Sequence, residues 1–222
     1  MHFHLPKPLH GWRQFIGEVG IIVLGVLIAL AAEQAAQAIH HRFQAREMAS
    51  KLRQESLANR SIIAFDITRL KFGITAVDQD IAAVGKFGRA GGRQLSYLPA
   101  RFRFLRPADA AWISVRDSAL LPIIPQELVD NYWKVDVTVE ILAEKSADAN
   151  RALAMAQASI DEANTFPGDV EASRNLVRQL SQLKQVEQSL LDSSTLYQRL
   201  NERALQGKKI DPLHEVASVT QP

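Results

Sequence analysis

The sequence predicts an all-α protein: an N-terminal transmembrane helix that continues into an elongated antiparallel helical bundle or coiled coil. Three observations lead there. Aromatic residues are sparse, at 7%, while alanine and leucine are frequent, which favours helices over a sheet core. From Glu33 onward no proline interrupts the chain until Pro99. Apolar residues then recur at alternating spacings of four and three, the repeat of helices packed side by side.

The first element is "GEVGIIVLGVLIALAAEQ", Gly17 to Gln34, which contains fourteen consecutive uncharged residues, Val19 to Ala32. A spanning helix needs about 20 mostly apolar residues. Phe15 and Ile16 lengthen the run on one side, and Ala35, Ala36, Ala38 and Ile39 on the other. This sets a short basic tail at 1–14 and a transmembrane helix at 15–39. Glu18 and Glu33 are its polar residues, placed near opposite interfaces where a carboxylate costs far less than at the bilayer centre. Trp12 and Arg13 suit one interface, and His40, His41 and Arg42 the other. The helix is apolar all round, unlike the amphipathic helix of a soluble protein. A cleaved signal peptide is the rival reading, with Lys7 and Arg13 ahead of the core and Ala29-Leu30-Ala31 as an A-x-A site. Glu18 counts against it, because that region should be positive.

The residues Gly17, Glu18, Gly25, Leu27, Ile28, Ala29 and Leu30 give a Gly-Glu opening followed by Gly-x-Leu-Ile-Ala-Leu. This resembles the N-terminal anchor of a group of uncharacterised bacterial single-span membrane proteins. "LPKPLHGWRQF" and "AAWISVRDSALL" are similar to parts of its proteobacterial branch. The resemblance is clear over about 30 residues. It implies one span and a helical remainder, and it implies no activity. Basic residues nearly balance across the span, with Lys7 and Arg13 before it and Arg42, Arg46 and Lys51 after. A short basic tail need not be translocated, so the N-terminus is expected in the cytoplasm and the bulk in the periplasm.

Residues 40–206 are the expected bundle. Ile63, Ile67, Leu70, Ile74, Val77, Ile81 and Val84 form a seam on a helix that ends in the glycines of "GKFGRAGG". An irregular basic loop follows at 86–108. Asp109 suits the N-cap of a short helix through Leu120, and Pro125 the first turn of the next helix. There Leu128, Tyr132, Val135, Val139, Leu142, Ser146, Ala149, Leu153, Ala156 and Ile160 keep the four-three spacing. Pro167 and Gly168 end that helix. A last one runs from Asp169 to Gln206, with Leu176, Leu180, Leu183, Val186, Leu190, Tyr197, Leu200 and Ala204 as its stripe. Gly207 ends it, and 207–222 is expected to be a flexible tail. Whether the seams close inside one chain or between chains stays open.

The net charge of +2 conceals a split of +8 over residues 1–108 and −6 over 109–222. There are no cysteines, so disulfides, thiolate zinc sites and cysteine nucleophiles are excluded. The candidate interaction residues are Arg101, Arg103 and Arg106 of a block without acids, and Trp112, Arg116 and Asp117 of "AAWISVRDSALL". The arginines could meet an external anion or dock onto the acidic half of the chain. A straight helix from Glu33 to Gly85 would lift that block about 80 Å. The acidic turn around Asp161, Glu162, Asp169 and Glu171 would then lie at the membrane end, leaving Pro125 to Asp130 and the C-terminal end of the last helix as distal neighbours. Arg116 with Ser118 could hold a carboxylate or phosphate; alternatively Trp112 packs and Arg116 pairs with Asp117. His40 and His41 point about 100° apart on a helix, a poor metal pair. No catalytic, cofactor-binding or metal-binding residue is expected.

The expectation is therefore a non-enzymatic scaffold or protein-interaction module, single-pass in the bacterial inner membrane. Its partners would be the bilayer and another protein or a second copy through helix seams, rather than nucleic acid. The alternative is a periplasmic ligand-sensing bundle with a small anion near Trp112 and Arg116.

Overall fold

The computed structural model describes residues 12–87, 104–166 and 168–211. Among them are four α-helices and one 3-10 turn, and no strand. The helices are α1 (Trp12–Phe87), α2 (Ala110–Arg116), α3 (Gln126–Thr165) and α4 (Val170–Leu205), with the 3-10 turn at Leu121–Ile123. The protein is all-α. The chain divides into two compact units, Met1–Glu47 and Met48–Pro222.

The first unit is the leading part of α1. The helix takes in the last three residues of the tail expected at 1–14. This stretch is long and apolar enough to cross a membrane by length and composition; its most apolar window has a mean hydropathy of 2.5 and no buried residue. Every side chain from Phe15 to Phe43 is exposed. Each such Leu, Ile or Val forgoes about 1.5–3 kcal/mol of burial in water.

The second unit is a three-helix bundle of α1 from Met48, α3 and α4, with α2 laid against it. Its interior follows the periodic seams. Ile63, Ile67, Leu70, Val77 and Val84 of α1 are buried, as are Tyr132, Val135, Val139, Leu142, Ala156 and Ile160 of α3. On α4, Leu176, Leu180, Leu183, Leu190, Tyr197, Leu200 and Ala204 are buried. On α3 the buried position slips from Leu153 to Ala152. A helix of 3.6 residues per turn drifts about 20° per heptad against a seven-residue repeat.

Helix directions differ from the expected ones. Val77 and Val84 share a core with Ala152, Ala156 and Ile160 of α3 and with Leu176, Leu180 and Leu183 of α4. Towards the other end, Ser56 Oγ donates to Tyr132 Oη at 3.3 Å and Asn201 Nδ2 donates to the Ser56 carbonyl at 2.9 Å. Thus α1 runs parallel to α3, and α4 runs antiparallel to both. The acidic α3–α4 turn therefore lies at the end of the bundle where α1 finishes, not at the opposite end. Ion pairs Arg60–Glu202 and Lys184–Asp78, each 2.6 Å, join α1 to α4 at the surface.

Asp169 caps α4, accepting from the Glu171 and Ala172 amides at 2.7 and 3.3 Å. Gly207 stops α4 at φ +63, a left-handed conformation that glycine adopts at little cost. The chain is anchored beyond it. Asn131 Nδ2 donates to the Lys208 carbonyl and Asn131 Oδ1 accepts from the Ile210 amide, each at 3.1 Å. Ile210 is fully buried. The tail expected to be loose from 207 is thus fixed as far as Ile210, and residues 212–222 lie outside the described ones.

Gly73 sits inside α1, where a Cβ would meet the Glu187 carboxylate oxygens at 3.6 Å, an ordinary contact. Gly73→Ala is expected to stabilise the bundle by about 0.5–1 kcal/mol, because glycine is a poor helix former. Urea unfolding would read this as a higher midpoint at unchanged slope.

Candidate functional site

Polar side chains on the inner face of α1 hold the returning chain. Asp66, fully buried, accepts from the Leu105 amide at 2.9 Å. Asn59, also buried, makes a double bond pattern with one residue: its Nδ2 donates to the Ala108 carbonyl at 2.7 Å, and its Oδ1 accepts from the Ala108 amide at 2.8 Å. Glu55 accepts from the Ala111 amide at 2.9 Å. That amide belongs to the first turn of α2, so Glu55 caps α2 from another helix. Asp109 occupies the N-cap position but makes no capping bond. Its carboxylate pairs with Arg106 at 2.6 Å instead.

Docked this way, α2 turns Trp112 and Val115 inward. The Trp112 ring stacks on Tyr132 with centroids 6.5 Å apart and planes at 20°. Its indole N–H faces Asp136 without closing a hydrogen bond of normal geometry. The Tyr197 hydroxyl, fully buried, faces Asn59 in the same incomplete way. A cavity of about 20 Å³ lies among Glu55, Asp109, Trp112, Tyr132, Asp136 and Tyr197, room for about one water molecule.

Burial sets the electrostatics here. It pushes the Asp136 carboxyl above the usual carboxylate range, against the Trp112 indole N–H and the Arg116 guanidinium. It raises the Tyr132 and Tyr197 hydroxyls. It lifts Asp66 to about 6, opposed by the Leu105 amide and by Arg69. In α4, burial alone lifts Glu187 to about 7, and its Oε2 has no partner.

The sequence-derived candidates are distributed as follows. Trp112 is core. Arg116 is half-exposed and pairs with Asp117 at 3.1 Å and Asp136 at 3.7 Å. Ser118 is committed to the turn after α2, donating to the Val115 carbonyl at 2.8 Å. An anion beside Trp112 would face Glu55, Asp109 and Asp136, a lining of the wrong sign. Arg101 and Arg103 lie outside the described residues, while Arg106 is exposed and paired with Asp109. Glu18 and Glu33 are exposed on α1, and Glu33 accepts from Gln37 Nε2 at 3.3 Å.

Sequence reasoning did not single out Glu55, Asn59, Asp66, Asp136 or Glu187. A signal was present. Asn59 and Asp66 are seven apart, and Glu187, Ser194 and Asn201 repeat every seven residues. All five are buried at seam positions, where polar side chains specify register at a cost in stability. Among the described residues no three His, Asp or Glu side chains are placed to hold a metal ion. The chain matches no family model, no curated protein and no solved structure.

Proposed function

We propose that the protein is a single-pass, membrane-anchored helical scaffold or interaction module of the bacterial envelope, without a catalytic role and with its bundle in the periplasm. One observation carries the anchor: from Phe15 to Phe43 no side chain of α1 is buried. An apolar helix that folding leaves bare on every side is stable only where something else removes it from water, and a bilayer does so along its whole length. The bundle supports a binding role on its outer surface. The cavity beside Trp112 has room for about one water, far below the roughly 300 Å³ of an ordinary ligand pocket. The short basic segment with Lys7 and Arg13 favours retention of the N-terminus in the cytoplasm.

The test is fractionation of the full chain, carrying a C-terminal tag, in a Gram-negative host. The expected tag is full-length, resistant to alkaline extraction from membranes, and digested by protease added to spheroplasts. A full-length soluble product would remove the anchor. A shortened periplasmic product would make Ala29-Leu30-Ala31 a cleavage site. A protected tag would put the bundle in the cytoplasm.

A further inference from the structure

The inner seam of α1 is consumed by α3 and α4, but the same helix carries a second seam facing outward. Phe65 and Phe72 stand one heptad apart and are 51% and 71% exposed. Thr68 and Thr75 follow each of them at three residues. Ala58 and Ser61 extend the seam on one side, Gln79 and Ala82 on the other. From Ala58 to Ala82 the spacings alternate three and four, every position is exposed, and none is charged. The seam is about 36 Å long at 1.5 Å per residue.

Its threonines are quieter than they look. Thr68 Oγ1 donates to the Ala64 carbonyl and Thr75 Oγ1 to the Lys71 carbonyl, each at 2.9 Å. Both hydroxyls are satisfied within α1, which leaves the methyl groups to the outer surface. Arg69 lies over the Phe65 ring at 5.4 Å, covering it from the flank rather than from the seam.

We propose that this outer face of α1 is a parallel self-association seam, occupied by the same face of a second copy of the chain. A spacing of 3.5 residues matches another helix of the same period. Flanking charge selects the direction. In a parallel pair the residue before Phe65 or Phe72 meets the one five further on in the other copy. Lys71 then meets Ala76, and Ala64 meets Arg69. Full antiparallel pairing, with Ala58 opposite Ala82, would set Arg69 against Arg69 and Lys71 against Lys71, which is repulsive. Copies anchored in one orientation also present α1 in parallel; only this supporting point rests on the membrane reading.

The chain has no cysteine, so single cysteines report contacts directly. Ala58→Cys, Thr68→Cys and Ala82→Cys would be made in the full chain and oxidised in the fraction where the chain is found. Each is expected to give a reducible dimer, because equivalent positions of a parallel seam come within disulfide reach. Ala154→Cys, on the exposed side of α3, is expected to give none. Adding Phe65→Glu with Phe72→Glu should abolish the dimers and leave helicity unchanged, since both rings are exposed. Absence of dimers, equal dimers from Ala154→Cys, or dimers only when Ala58→Cys and Ala82→Cys chains are mixed would overturn the proposal. Fractionation separates the two readings. Membrane-bound chain without dimers sinks the seam alone, and soluble chain with dimers sinks the anchor alone.

Discussion

Replacing Glu187 by methionine is expected to stabilise the bundle by roughly 3 kcal/mol more above pH 7 than below pH 4.5. Glu187 holds a seam position of α4, between the buried Leu183 and Leu190. It faces Gly73 of α1, where a Cβ would stand 3.6 Å from the carboxylate oxygens. Lys184, one turn away, is engaged with Asp78. Burial lifts the folded carboxyl from 4.5 to about 7. Below pH 4.5 it is protonated both folded and unfolded, so its stability contribution is fully present. Between 4.5 and 7 the unfolded chain has released the proton and the folded chain holds it, so stability falls as pH rises. Above 7 the loss is complete, and a shift of this size corresponds to roughly 3 kcal/mol. Asp66, lifted to about 6, slopes the same way. Urea midpoints from pH 4 to 9 would show a decline in the native chain and a shallower one in Glu187→Met. Identical slopes would remove Glu187 as a source of the dependence.

Asn59→Ala is expected to cost roughly 1–3 kcal/mol. It removes the partner of both the amide and the carbonyl of the exposed Ala108, and each such bond contributes about 0.5–1.5 kcal/mol. The loss should be local before it is global. Residues 104–117 reach the bundle through Asp66, Asn59 and Glu55, so removing the middle attachment frees α2 first. Limited proteolysis should cut this segment under conditions where α3 and α4 stay intact. Arg106→Ala breaks an exposed ion pair nearby and should change the urea midpoint little, since such pairs contribute about 0–1 kcal/mol. Equal effects from the two substitutions would mean that the strap is not held by Asn59.

The features of the chain differ in how far the sequence alone determines them. Helix type, helix ends at Gly207 and at the Pro167–Gly168 break, and most core positions follow from spacing and breakers. Those are local: a residue's place on a 3.6-residue turn depends only on its neighbours in sequence. The N-cap at Asp109 was only half legible. Position follows from sequence, but its carboxylate had a competing partner in Arg106, and Glu55 of a different helix supplied the cap. The outer seam of α1 was hidden for a related reason. Nothing in the sequence shows that the Thr68 and Thr75 hydroxyls turn back onto α1.

By itself the sequence determined that the protein is all-α, that one helix is apolar on every side, and which residues can form seams. Only the tertiary structure decided that α1 runs parallel to α3, that polar seam residues grip the returning chain, and that Glu187 is buried opposite a glycine. Periodicity records which face of a helix prefers to leave water. It carries no information about which other face will meet it, because the hydrophobic effect is non-directional. Direction and register come from specific buried pairs, Ser56 with Tyr132 and Asn201 with the Ser56 carbonyl, that form only once the helices are side by side.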